Sequence, residues 1–157
     1  MSRKKIRIIS RIIFVIYMAI LVYFLFFSEG FGRQPDYSMS PGFSYNILPF
    51  REIRRVFENF DNLSTGYVII NFFGNIIAFI PFGALIRWVV NKGIKFYHAV
   101  LATFLFSCAV ELIQMVTRVG AFDVDDIILN TFGGLLGFIV YYILLLINRK
   151  FEKKKES

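Results

Sequence analysis

The chain has 157 residues, of which 57% are apolar and 18% aromatic, and its formal net charge is +7. A soluble domain of this size could not bury so much apolar surface, and the exposed remainder would cause aggregation. The basic residues lie at the two ends and in short gaps between apolar segments, a pattern typical of membrane proteins and not of a nucleic-acid-binding face. The lone cysteine, Cys108, excludes an intrachain disulfide and a cysteine metal cluster.

Four apolar segments are predicted to cross the membrane as helices, each long enough at about 1.5 Å per residue for a hydrocarbon core of roughly 30 Å. The spans cover about residues 12–27, 67–90, 99–116 and 127–147. The first is interpreted as an uncleaved helix, because no small-x-small cleavage pattern follows it. The second contains Pro81, which frees the carbonyl of Ile77 and predicts a kink near mid-span.

The distribution of Lys and Arg predicts the orientation. Thirteen of these residues lie in the two tails and in the gap after the second span, and five lie on the other side. The positive-inside rule places the thirteen in the cytoplasm. The sequence thus predicts an all-α integral membrane protein with two basic cytoplasmic tails, 1–11 and 148–157, around a four-helix membrane domain, 12–147.

The predicted outer side holds a long loop, residues 28–66. Within it, residues 50–60 predict a short amphipathic helix lying at the membrane surface. Its apolar face comprises Phe50, Ile53, Phe57 and Phe60. This extracytoplasmic helix is interpreted as a cap over the bundle or, alternatively, as a lid or headgroup-binding element.

Polar side chains inside the spans fall on one face of each helix, and such groups usually face protein or a watery cavity. The stripes are Asn71, Gly74, Asn75, Ala78 and Phe82; Thr103, Ser107, Glu111, Gln114 and Arg118; and Asp123, Asp126, Asn130, Gly133, Gly134 and Gly137. All three lie at a similar depth in the outer half of the membrane. They predict one outward-open polar cluster, from which Asp125 points away.

Two interpretations of the polar cluster remain open. Asp123 and Asp126 resemble a helix capping box, with Arg118 as their expected ion-pair partner. Glu111 has no cation within one helical turn and must be paired across helices, protonated or reached by water. The cluster is therefore either a hydrogen-bond network that fixes helix packing or an outward-facing functional site.

Several segments together resemble the VanZ-like family. They are Asn46-Ile-Leu-Pro-Phe50, the run from Asn71 to Gly83, Glu111-Leu-Ile-Gln114, Arg118, and the run from Phe122 to Gly134. The resemblance implies a bacterial cell-envelope membrane protein, similar to an accessory protein of glycopeptide-resistance clusters associated with low-level resistance to the lipid-tailed glycopeptide teicoplanin. It also implies that the family's polar binding positions are Asn75, Glu111, Gln114, Arg118, Asp123, Asp126 and Asn130.

Three hypotheses of function follow. The first is a non-enzymatic envelope protein that binds membrane lipids, a lipid-linked cell-wall precursor, a lipoglycopeptide or a partner protein, with no cofactor and no nucleic acid. The second is an intramembrane enzyme in which Glu111 is the acid or base and Arg118 holds a phosphate or carboxylate. Asp123 and Asp126 could then join Glu111 in holding Mg²⁺ or Ca²⁺. The third is a purely structural or assembly role.

Overall fold

The computed structural model describes residues 3–27, 42–58, 63, 66, 69–90 and 95–156. Its elements, in chain order, are α1 (Arg3–Phe27), β1 (Tyr45–Asn46), α2 (Arg51–Glu58), the π-helix π1 (Ile69–Gly74), α3 (Asn75–Val89), α4 (Phe96–Thr117), β2 (Phe122–Asp123) and α5 (Val124–Glu156). By length and composition, four helical segments can cross a membrane: Arg7–Phe27, Ile69–Arg87, Phe96–Thr117 and Val124–Glu152. The protein is thus a multi-pass membrane protein, as predicted.

The helix ends differ from the predicted spans. Helix α1 already begins at Arg3 and α5 continues to Glu156, so most of both basic tails is helical. Hydropathy marks where a helix leaves the apolar region, and it does not mark where backbone hydrogen bonding stops. The second span begins with the irregular turn π1, and α3 then continues through Pro81 without a break. Next to this proline, the hydroxyl of Tyr17 donates a hydrogen bond of 2.7 Å to the carbonyl of Ala78.

The closest packing joins α3 and α5. Their backbones meet at Gly83 and Gly134, where a Cβ built on Gly83 would overlap the carbonyl oxygen of Gly134. Small residues permit such close approach between helices in lipid. The apolar core lies between α1, α3, α4 and α5, where the rings of Phe82 and Phe106 stack at 5.3 Å and Phe79 is fully buried. Helix α1 exposes much of its apolar surface, as expected of a helix that contacts lipid.

The segment before α2 is tied to the start of α5. Strand β1 pairs in parallel with β2, and Asn46 lies opposite Asp123. Helix α2 forms as predicted. Of its predicted apolar face, Ile53 is half-buried, whereas Phe50 and Phe57 are exposed; Phe60 lies outside the described residues. Val56, which the prediction did not include, is buried against the rest of the protein.

Candidate functional site

The turn between α4 and α5 brings Glu111 to the start of α5. Arg118 ends α4 in the left-handed conformation, with φ of 56°, and the carbonyl of Gln114 accepts hydrogen bonds from the backbone N–H groups of Val119 and Gly120. The chain then reverses into β2. Glu111 is only 2% exposed, and its Oε2 accepts a hydrogen bond of 3.0 Å from the backbone N–H of Asp123.

Asp123 caps α5, as predicted, since its Oδ1 accepts a hydrogen bond of 2.8 Å from the backbone N–H of Asp125. The same oxygen accepts a second hydrogen bond, of 3.1 Å, from Nδ2 of Asn46. The predicted reciprocal half of the capping box is wrong, because the backbone N–H of Asp123 bonds Glu111 instead of Asp126. Burial raises the pKa of Asp123, and the hydrogen bond from Asp125 lowers it in part.

Asp126 instead connects α5 to α3. Its Oδ1 accepts a hydrogen bond from Nδ2 of Asn75. The same Nδ2 donates a second hydrogen bond, of 3.0 Å, to the carbonyl of Asn71 in π1. Asn75 is buried, at the point where π1 passes into α3. π-helical turns often occur at functional sites. The second, third and fourth spans therefore meet through Asn75, Glu111 and Asp126.

Asn130 extends this polar cluster one turn further along α5. Its Nδ2 donates a hydrogen bond of 2.8 Å to Oγ of Ser107 on α4. The residue is 1% exposed, and its Oδ1 has no partner among the described residues. A buried acceptor without a donor is costly, by about 1–3 kcal/mol. We refer below to Asn75, Glu111, Asp123, Asp126 and Asn130 as the acidic cluster.

Two of the predicted site residues lie apart from the acidic cluster. Gln114 is buried and donates from Nε2 to the carbonyl of Leu25, at 2.9 Å, which ties α4 to α1. Arg118 is exposed, and its guanidinium carbon lies 6.0 Å from the ring centre of Phe43. Within the described part of the chain it forms no salt bridge, so the expected ion pair with Asp123 or Asp126 is wrong. Arg118 follows the last residue of α4 and has a left-handed backbone conformation. Its side chain therefore does not continue the polar stripe on the face of α4.

Asp125 has a function that the sequence interpretation missed. It is fully buried, and its two carboxylate oxygens accept hydrogen bonds from the backbone N–H groups of Phe50, Glu52 and Ile53. Asp125 therefore caps α2 from a distant part of the chain and satisfies N–H groups that a helix start leaves unpaired. The sequence did predict the short helix α2, and the unpaired N–H groups at the start of any helix need a hydrogen-bond acceptor. That need was the one indication that a carboxylate elsewhere in the chain would cap it.

The acidic cluster is poor in positive charge. The described salt bridges join Arg54 to Glu58 and Arg55 to Glu52, both on the exposed surface of α2. Over the described ranges, no three His, Cys, Asp or Glu side chains are arranged to hold a metal ion. The Mg²⁺ or Ca²⁺ site considered for Glu111 with two aspartates is therefore not supported. The arrangement can accept hydrogen bonds and attract positive charge.

Comparison with known proteins gives one family. The VanZ/LLP1 family model matches residues 14–146. The chain is also 30% identical to "Protein VanZ" of Enterococcus faecium over 154 residues, which cover 95% of this chain and 81% of that protein. No solved structure matches the chain.

Proposed function

This chain belongs to the VanZ/LLP1 family, and from that premise we propose that it is a non-enzymatic cell-envelope protein that binds the headgroup of a lipid-linked molecule. We further propose that this binding contributes to low-level resistance to lipoglycopeptides such as teicoplanin. The acidic cluster, on the predicted outer side, is the binding site. The observation that carries the proposal is the convergence of Asn75, Glu111 and Asp126 from three membrane-spanning helices.

The surroundings of the acidic cluster suit a headgroup ligand. Arg118 is exposed and can be reached from the membrane surface, whereas Asp126 is mostly buried. A guanidinium can bind a phosphate or carboxylate through two parallel hydrogen bonds. Helix α2, which Asp125 holds beside the start of α5, exposes Phe50 and Phe57, and aromatic side chains are common at the membrane interface.

The enzymatic alternative is less well supported. An acid or base must reach the group that it protonates or deprotonates. Glu111 is 2% exposed and hydrogen-bonded to backbone, whereas Arg118 points to Phe43 on the surface. The two candidate catalytic residues therefore share no common open space in this arrangement.

The purely structural alternative has one specific observation in its favour. Several polar atoms of the acidic cluster already have hydrogen-bond partners within the protein, including Nδ2 of Asn75 and Oε2 of Glu111. If the cluster only fixes packing, Glu111→Gln should be mild. An amide of the same shape retains an acceptor for the backbone N–H of Asp123, and polar contacts inside membranes average less than about 2 kcal/mol.

Teicoplanin susceptibility in a sensitive Gram-positive host separates binding from packing. We expect Glu111→Gln and Arg118→Lys to abolish the resistance that the wild type confers, at unchanged protein level by blot. Arg118→Lys keeps the charge but loses the planar fork of donors. The matched controls are Glu58→Gln and Arg54→Lys, because both residues form an exposed ion pair on α2; these variants should retain resistance. Unchanged susceptibility in both site variants would favour the packing network.

A further inference from the structure

The segment from residue 43 to residue 57, which contains β1 and most of α2, carries large apolar side chains on the outside of the protein. Six of them are between 57% and 70% exposed: Phe43, Tyr45, Ile47, Leu48, Phe50 and Phe57. Exposed apolar residues that lie together mark a surface that contacts another molecule or a membrane. The arrangement of these side chains and their depth indicate which of the two it is.

The alternation of side chains around β1 is the inverse of that in a water-soluble protein. Successive side chains of a strand point to opposite faces. The polar residues Ser44 and Asn46 are half-buried, and the side chain of Asn46 donates a hydrogen bond to β2. Phe43, Tyr45 and Ile47 alternate with them and are exposed. Polar side chains thus face the protein and apolar side chains face outward, as in strands that contact lipid.

Contacts at both ends of α2 place this helix at the level where two membrane-crossing segments begin. At its start, the carboxylate of Asp125, the second residue of α5, accepts a hydrogen bond from the backbone N–H of Glu52. At its other end, the ring of Phe57 lies 5.9 Å from that of Phe72, near the start of the crossing segment Ile69–Arg87. The first turns of α5 and of this segment meet through the acidic cluster, so both begin on the same side of the bundle. Helix α2 therefore lies along the membrane surface and does not project away from it.

The exposed surface of α2 has an apolar part and a basic part. Successive residues of a helix are about 100° apart around its axis, so Phe57 and Arg55 lie on nearly opposite sides. Val56 is buried against the protein, next to the exposed Phe57. The exposed basic residues are Arg51, Arg54 and Arg55. Arginine stems can pack along apolar surface while the guanidinium reaches water or a lipid phosphate. This arrangement fits a helix in the interface, with Phe57 towards the acyl chains and Arg55 towards water.

We propose that residues 43–57 form a membrane anchor, whose exposed apolar side chains lie in the interfacial layer of the leaflet next to the acidic cluster. The lipid bilayer is the partner of this surface. Interfacial amphipathic segments bury their apolar face about 5–10 Å into the boundary between headgroups and acyl chains. The anchor also holds Arg118 at the level of the lipid phosphates, because its guanidinium carbon lies 6.0 Å from the ring centre of Phe43. This inference goes beyond the proposed function and does not depend on what the acidic cluster binds.

Quenching of tryptophan fluorescence by brominated phosphatidylcholine measures depth in reconstituted vesicles. The sequence contains one tryptophan, Trp88, so the full chain with Trp88→Phe is the background. Phe43→Trp and Phe57→Trp each add one probe, and they lie on separate elements, so the test remains valid if one of these variants fails to fold. Arg55→Trp is the matched control on the opposite side of α2. Leu105→Trp, at an exposed position in the middle of α4, calibrates a deep probe.

We expect lipid brominated near the headgroup to quench Phe43→Trp and Phe57→Trp more strongly than lipid brominated at the chain ends, with the reverse order for Leu105→Trp. Arg55→Trp should be quenched mainly by acrylamide in the water. Quenching of the Phe43→Trp and Phe57→Trp probes by acrylamide alone would overturn the anchor. Probes that neither quencher reaches would show that protein covers this surface, which would also overturn it. Equal quenching of Arg55→Trp and Phe57→Trp by lipid would refute the one-sided insertion of α2.

Discussion

Substituting Gly83 with alanine should weaken the packing between α3 and α5. A Cβ at Gly83 would lie 2.6 Å from the carbonyl carbon of Gly134 and overlap its oxygen. Carbon atoms in favourable contact are about 3.5–4.0 Å apart, so the two helices would have to separate by about 1 Å. The obstacle is backbone, which cannot rotate away as a side chain can.

Two opposing effects decide the magnitude for Gly83→Ala. Alanine favours a helix over glycine by about 1 kcal/mol. Forcing extra volume into a packed interface costs about 1–3 kcal/mol, and more when backbone must move. Because the obstacle is backbone, the packing cost should lie in the upper part of this range, at about 2–3 kcal/mol. We therefore expect a net destabilisation of about 1–2 kcal/mol. At about 2–4 °C per kcal/mol for a chain of this size, the unfolding temperature should fall by several degrees.

Thermal unfolding in detergent, followed by circular dichroism, measures the effect. The control is Gly66→Ala, since a Cβ at Gly66 meets nothing within 4 Å. An unchanged or raised unfolding temperature for Gly83→Ala would refute the close approach of α3 and α5. A similar loss in both variants would show that the effect comes from replacing glycine in general.

Three further predictions concern the start of α5 and the orientation of the chain. Asp125→Ala removes the acceptor for three backbone N–H groups of α2, so α2 should exchange its amide hydrogens faster than in the wild type, measured by mass spectrometry; unchanged exchange would contradict the capping role. Because burial raises the folded-state pKa of Asp123, the folded state binds its proton more tightly, and this contribution to stability is lost as pH rises above the ordinary Asp pKa of about 3.9. Asp123→Asn should flatten that part of the curve of unfolding temperature against pH, and an identical curve would contradict it. Reporter fusions after Lys155 and near Lys92 should lie in the cytoplasm and one near Gly42 outside; an external C-terminus would overturn the predicted orientation.

Helical periodicity predicted the main polar contacts because it identifies which residues share a face. Asn75, Glu111 and Asp126 lie on the predicted stripes, and their side chains do bridge different elements. The periodicity could not identify which neighbour each face would meet. Gln114 shares a stripe with Glu111, yet it bonds the backbone of α1.

Residues near the turns were harder to place, because their partners depend on long-range contacts. Arg118 adopts the left-handed conformation, so the regular geometry of α4 ends just where its side chain was expected to face the aspartates. Asp125 falls off the stripe of α5 because it serves a different partner, the first turn of α2. That contact joins positions 73 residues apart, and no local pattern specifies it. The β1–β2 pair was missed for the same reason.

The β1–β2 pair has a consequence for biosynthesis. Tyr45 and Asn46 lie before the second span, but their partners Phe122 and Asp123 lie after the third. A chain that is inserted from its N-terminus must therefore hold β1 unpaired while two further helices are made. Glu111 likewise receives its hydrogen bond only when Asp123 has been synthesised. Asn75 finds Asp126 only once α5 has begun. A nascent chain stalled before β2 therefore lacks the groups that pair with Glu111 and Asn75 in the finished protein.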